Sequence, residues 1–390
     1  MSTLSRKHFL LSLSGLPLAA AEGGKQVKLP PPVHTPSSNH RPQVIERPKD
    51  AKLNLPPGFS IEEYASGFER PRYMVSDPAG RVLLSDSVPN GSVYILEKGT
   101  GSKKLLSGLD RPFGMAFHKG DLYVAETTAL KRYKYDAKAG KAESPQMVYD
   151  MADYGKGHWT RAVIFDKAGK LYLSIGSASN VDAGEPRDRA AILRMNPDGS
   201  GKEYFAEGTR NPVSLRFYPG TNILYATIQE RDLLGDDLVP DFFTSIKQGG
   251  FYGWPYAYIG PNEDPRRKGE KPDLVAKTIV PDVPLGAHVA VLDFIFYTGK
   301  LFPKQYQGGA FLALHGSWNR SKRVGQSIIY IPMKNGKPAG EPQEFLTGWM
   351  LGEDRREVWG RPVGVFQMND GSLLVSDDGG NKVWHITFKG

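Results

Sequence analysis

Residues 111–126, RPFGMAFHKGDLYVAE, and residues 361–378, RPVGVFQMNDGSLLVSDD, are two copies of one pattern. Each has an Arg-Pro step, a short apolar run, a Gly-containing turn and a second apolar run that ends on an acidic residue. The pattern recurs at 70–86 (RPRYMVSDPAGRVLLSD) and, with an Asn inserted, at 210–230 (RNPVSLRFYPGTNILYATIQE). Looser copies stand at 160–177 (TRAVIFDKAGKLYLSIGS) and 291–315 (VLDFIFYTGKLFPKQYQGGAFLALH). Apolar runs of strand length joined by Asp-Gly, Ala-Gly or Lys-Gly are hairpins. A third apolar run often follows, at 93–96, 192–195, 327–331 and 382–386. A small sheet repeated six times cannot bury both faces alone, so the units stack radially, which predicts an all-β, six-bladed β-propeller around a central funnel.

The repeat spans most of a 390-residue chain, so residues 53–390 read as one closed domain. Gly and Pro are abundant and no long amphipathic helix is apparent, as many short strands and turns require. Residues 1–21 carry Arg6 and Lys7, an apolar stretch to Leu18 and Ala19-Ala20-Ala21, the make-up of an export signal cut after Ala21. The Ser-Arg-Lys-x-Phe-Leu run resembles a weakened twin-arginine signal, and an ordinary secretory signal is the other reading. Either predicts a periplasmic or secreted protein. No later apolar run is long enough for a membrane span. Residues 22–52 (with KLPPPVHTPSSNHRPQ) read as a Pro-rich linker or a strap over the propeller.

There is no cysteine, which excludes disulfides and thiolate metal sites. The formal charge is +8, without a clustered Lys/Arg helix or recognition motif, so nucleic acid is not expected as a partner. No GxGxxG follows a strand and opens a helix, so a nicotinamide or flavin fold is not indicated.

Five groups could carry chemistry. His158, in GKGHWTR before an inner strand, is a general base or a turn histidine. Arg210-Asn211 opens the next unit with a donor fork suited to carboxylate or quinone oxygen, unless Arg-Asn-Pro is only a blade corner. The acidic loop at 229–238, QERDLLGDDL, offers hard oxygen ligands suited to calcium, or is a solvated loop. The aromatic stretch 251–256, FYGWPY, fills a corner or stacks on a ring. His288, with the 315–320 stretch HGSWNR, can hold a flat polyanionic ligand through Trp318, Asn319 and Arg320, and Arg361 opens the last unit.

Taken in order, GHWTRAVIFDKAGKLYLSIGS, EGTRNPVSLRFYPG, ERDLLGDDLVPDFF, GGFYGWPY and HGSWNR resemble the soluble quinoprotein glucose/sorbosone dehydrogenase family, closer to its sorbosone branch. The resemblance implies a six-bladed propeller that binds pyrroloquinoline quinone (PQQ) and calcium and oxidises a sugar, sugar aldehyde or polyol, passing electrons to a cytochrome or dye. It places His158 as the base, Arg210 and Asn211 on the quinone, and Arg361 as a cofactor arginine. Calcium ligands fall at Glu230 and Arg231, through their carbonyls, and at Asp237, with Asp236 as a rival carboxylate. Ser177 stands where the glucose enzymes place an aspartate behind the base, Trp359 replaces a cofactor arginine, and no lysine matches their cofactor lysine. His288, Trp318, Asn319 and Arg320 are the candidates to substitute. Two other functions suit the same scaffold: a calcium-dependent lactonase or esterase, and a non-catalytic sugar- or protein-binding propeller.

Overall fold

The structure is a computed structural model, and it describes residues 27–155 and 157–390. The expected export signal lies outside the described residues. Six sheets succeed one another along the chain, with innermost strands Pro71–Ser76, Met115–His118, Val163–Phe165, Asn211–Phe217, Val291–Phe296 and Pro362–Gln367, and we number the blades 1 to 6 in that order. Innermost strands of consecutive blades touch all the way round, blade 6 against blade 1 included. The chain is a six-bladed β-propeller. Among the described residues the only α-helix is the single turn Pro272–Ala276.

Each blade has a fourth strand that the repeat did not announce, such as Lys103–Leu109 in blade 1 and Gln343–Leu346 in blade 5. These outer strands face solvent on one side, so their apolar signal is diluted; Lys103–Leu109 has a single fully buried residue. Blade 6 takes its outer strand from the other end of the chain: Phe59–Ser66 pairs antiparallel with Lys382–Phe388. That pairing closes the ring by joining the two ends of the domain.

The repeat's residues explain the packing. Pro71, Pro112, Pro212 and Pro362 stand where the chain enters the innermost strand, whose free edge faces the axis and needs no N–H there. In blades 2 and 6 a glycine two residues later allows close approach: a Cβ on Gly114 would lie 2.5 Å from the Arg161 carbonyl, and one on Gly364 2.2 Å from that of Arg72. Tyr73, Val213, Leu292 and Val363, from four innermost strands, and Phe113, just before a fifth, meet in a single buried cluster. Each contributes roughly 1.5–3 kcal/mol by burial, and together they floor the funnel.

Residues 27–52 lie across blades 4 to 6. The Val33 N–H donates to Leu234, the His40 N–H to Trp318 and the Ile45 N–H to Val358, while Gln43–Val44 pairs parallel with Glu357–Val358.

Candidate active site in the central funnel

Antiparallel pairing puts the start of each innermost strand beside the end of the second strand, as in Pro71 with Asp86, Asn211 with Gln229 and Pro362 with Asp377. Loops from all six blades therefore surround one mouth. The acidic residue that ends the repeat has a local task there. Asp86 accepts from the Glu69 N–H, Glu126 from the Asp110 N–H, and Asp377 from the N–H groups of Arg361, Gly379 and Gly380.

His158 is held from blade 3. Its Nδ1 lies 2.8 Å from the Ser177 carbonyl and 3.0 Å from the Ser177 hydroxyl, which itself donates to the Ser179 carbonyl. A carbonyl can only accept, so Nδ1 carries the proton and Nε2 keeps its lone pair. Burial, with the charge of Arg210 adding to it, pushes the imidazole down to about 3. The ring is neutral across the physiological range. Gly176 lets this corner close: a Cβ there would sit 2.3 Å from the Asn211 Oδ1 and 2.7 Å from the His158 Cβ.

Arg210 is buried beside it. Its Nη1 donates to the Glu230 carbonyl at 2.6 Å, its Nε to the Asn180 carbonyl, and its Nη2 to the Asn180 Oδ1 at 3.0 Å, with Asp232 at 3.4 Å. Asp232 also receives His288 Nδ1 at 3.2 Å, and His288 Nε2 donates to the Gly235 carbonyl at 2.9 Å. Burial works against both charges, yet the pairing prevails: the Asp232 carboxyl is held below its usual range and the His288 imidazole above its own. Asn211 donates to Gln229 and leaves its buried Oδ1 without a partner.

On the far side, Arg72 pairs with Asp378, which accepts from His315 Nε2 at 2.7 Å, and Arg361 donates from Nε to the His315 carbonyl. Burial, with Arg361 nearby, lowers His315 to about 4; burial lowers Arg361 to about 10 and Arg161 to about 9. The Arg72 guanidinium stacks on Trp159 at 5.1 Å, which joins this half to the neighbour of His158. Arg161 donates to the carbonyls of His158 and Thr160, and the buried Nε atoms of Arg72 and Arg161 have no partner. Four guanidinium groups, two with unused buried donors, against two funnel-facing carboxylates make a cradle for a polyanion.

The remaining expected site residues stand elsewhere. One oxygen of the Glu230 carboxylate accepts from the N–H and guanidinium of Arg231 and the other is buried without a partner, while that guanidinium turns away to Asp264 and the carbonyls of Pro255 and Ala257. Asp236 accepts from Ser321, and Asp237 pairs with Arg320 and His34. Asn319 accepts from the Leu233 N–H and donates to the Ser38 carbonyl, and Arg41 stacks on Trp318 at 5.0 Å. Trp318, Asn319, Asp236 and Asp237 thus fasten residues 34–41 to the rim, and Arg320 is held there by the Asp236 carbonyl and the Asp237 carboxylate. Trp359 is buried, donates to the Gly348 carbonyl and lies under Arg47. In the aromatic stretch Tyr252 is core, and Trp254 donates to Asn180.

Sequence reasoning passed over Asn180, Arg72 and Asp378, and gave no separate role to Arg161, Asp232 or His315, which stood in stretches it had singled out. Asp232 lay within the acidic loop already singled out, and Asp378 closes the last repeat. Nothing local marked Asn180, whose partners are Arg210, Asp232 and Trp254.

A family profile described as TrAA12-like matches residues 53–237 and 268–389. The chain belongs to this family. A protein of Borreliella burgdorferi described as uncharacterized is 30% identical over 355 residues, covering 86% of this chain and 91% of its own. A pyrroloquinoline quinone-dependent pyranose dehydrogenase of Coprinopsis cinerea is 23% identical over 403 residues; this chain, 86% of it aligned, spans about half (54%) of that protein. Among solved structures, a calcium structure of a Trichoderma reesei carbohydrate-active enzyme of family AA12 superposes with a TM-score of 0.75 at 18% identity, covering 89% of this chain and 98% of that one. That likeness speaks to the fold.

Proposed function

We propose that this member of the TrAA12-like family is an exported quinoprotein that binds PQQ and calcium and oxidises a hydroxyl of a sugar, sugar aldehyde or polyol. The observation that carries the reading is His158: a neutral imidazole of fixed tautomer, its Nε2 unprotonated, beside a buried arginine cradle in one funnel. The pyranose dehydrogenase relative supports the choice of cofactor and substrate class.

The donor set suits PQQ. Arg72, Arg161, Arg210 and Arg361 would hold its carboxylates and carbonyl oxygens, and Asn211 would offer an unpartnered acceptor beside them. For calcium the candidate ligands are the Asp232 carboxylate and the Arg231 carbonyl, which accepts no hydrogen bond among the described residues. Two protein oxygens fall short of the six to eight calcium takes, so cofactor oxygens and water would complete the shell. When bound, the quinone supplies a two-electron acceptor and calcium a Lewis acid on its carbonyl.

The chain's own part is positional. His158 Nε2 takes the hydroxyl proton as hydride leaves the same carbon, and the imidazolium that forms keeps its Nδ1–H on Ser177. Arg210 holds positive charge where negative charge develops, and its anchors on Glu230 and Asn180 fix its direction beforehand. The motif order inclines the substrate toward a sorbosone-type sugar, and a cytochrome or dye serves as electron acceptor. Residues 1–21 would carry the protein to the periplasm or the exterior.

The test is reconstitution. Purified protein titrated with PQQ and calcium should gain the quinone absorption band and then reduce a dye with a member of a sugar and polyol panel. Lactone hydrolysis without dye reduction would turn the reading to the lactonase, and no quinone binding at all would turn it to a binding propeller.

A further inference from the structure

One loop of blade 3 sets both halves of the chemistry. Residues 177–185 begin with Ser177, which fixes the His158 tautomer, and three residues later present Asn180 to Arg210 and Asp232. The loop is itself braced, since Glu185 accepts from the N–H groups of Ala178 and Ser179 and from the Ser179 hydroxyl.

Asn180 makes an unusual number of directed contacts for one side chain. Its Oδ1 accepts from Arg210 Nη2 at 3.0 Å and from the Asp232 N–H at 2.9 Å, while its Nδ2 donates to the Asp232 carbonyl at 2.9 Å. Its own carbonyl accepts from Arg210 Nε at 3.2 Å and Trp254 Nε1 at 2.9 Å. The amide pairs head to tail with the backbone of Asp232, and that pairing also fixes its orientation: reversed, it would set two donors and two acceptors face to face.

The consequence is directional. Arg210 has no bidentate carboxylate; its Asp232 contact is a single long one of 3.4 Å. Nε and Nη2 are both held by Asn180, through its carbonyl and its amide oxygen, and Nη1 by the Glu230 carbonyl. Without the Asn180 amide the guanidinium can swing toward Asp232, gaining a fork geometry there and leaving the funnel. Asn180 therefore holds Arg210 to a single long contact with Asp232 where a two-point fork would draw it from the funnel.

We propose that Asn180 is a positioning residue, aiming Arg210 toward the cofactor. The proposal rests on the quinoprotein reading and adds to it a residue that touches neither substrate nor reacting atoms. It predicts that Asn180 acts on quinone binding through Arg210.

The experiment is a double-mutant cycle read by PQQ affinity, from titration of the full chain with PQQ at fixed calcium, without turnover. Asn180→Ala should weaken quinone binding about ten-fold, the cost of one misaimed charged contact. Asn180→Asp, which sets an acceptor against the Asp232 carbonyl in place of the Nδ2 donor and offers Arg210 a carboxylate fork, should not recover that loss. In an Arg210→Ala background Asn180→Ala should cost less than about two-fold, the coupling expected of residues acting as a unit. Thermal unfolding of each apo variant, within about 3 °C of the parent, separates misaiming from misfolding. A full ten-fold loss in the Arg210→Ala background, or no loss in the parent, overturns the proposal. Failure of the parent itself to bind PQQ overturns the quinoprotein reading instead.

Discussion

The Nδ1 of His158 lies 2.8 Å from the main-chain oxygen of Ser177, and the same oxygen accepts the His158 N–H at 3.1 Å. A base steadied by the backbone cannot be disarmed by changing the side chain behind it. The neutral carbonyl sets the tautomer but, unlike a carboxylate, lends no full negative charge to the imidazolium that forms during turnover.

Replacing the base itself should be costly. His158→Ala should lower dye-linked turnover by about 10²–10⁴-fold while PQQ affinity stays within three-fold, since proton transfer and not binding is removed. Ser177→Ala, by contrast, should stay within about three-fold of the parent because the carbonyl remains. Steady-state kinetics beside a PQQ titration read both.

The acidic loop divides by direction. Asp232→Asn should weaken calcium-dependent PQQ binding about ten-fold, whereas Asp237→Asn, whose partners are Arg320 and His34 at the rim, should leave it within two-fold. Calcium titrations at fixed PQQ distinguish them, and equal losses would return the metal to the rim.

Fastening of residues 27–52 depends on Asn319, which bridges Leu233 and Ser38. Asn319→Ala leaves a backbone N–H and a carbonyl without partners, a loss of about 1–3 kcal/mol. Limited proteolysis should then cut within 27–52 faster than in the parent, with the rest of the propeller intact.

Acid should destabilise the fold earlier than its carboxylates alone would. His158 and His315 are lowered to about 3 and about 4 in the native state against an ordinary 6.5. Between those values the unfolded chain binds more protons, so this contribution is complete above about pH 6.5 and is lost as pH falls toward 3. Urea midpoints at about pH 7 and pH 5 should differ, and less so in His315→Asn. With His158 neutral throughout, no acid limb from it should enter the rate profile between about pH 5 and 8.

The four arginines of the repeat show how far the primary structure reaches. Arg70, Arg111 and Arg361 directly precede the proline of their units and Arg210 stands one residue further back, yet Arg70 is exposed, the Arg111 side chain is 39% exposed beside Asp110, and only Arg210 and Arg361 serve the funnel. Likewise Trp318, Asn319 and Arg320 look as apt for a cofactor as Arg72, and it is Arg41 and Ser38 that claim the first two and Asp236 and Asp237 the third.

Hairpins, turns, the entry proline of four units and the number of blades were written in the chain, because strand alternation and turn chemistry act over a few neighbouring residues. The ring's closing strand, the fastening of residues 27–52 and the inward choice of Asp232 and Asn180 were decided only by the folded ring. A polar side chain takes its role from the donors and acceptors set against it, and here those come from distant segments that meet only when the circle closes.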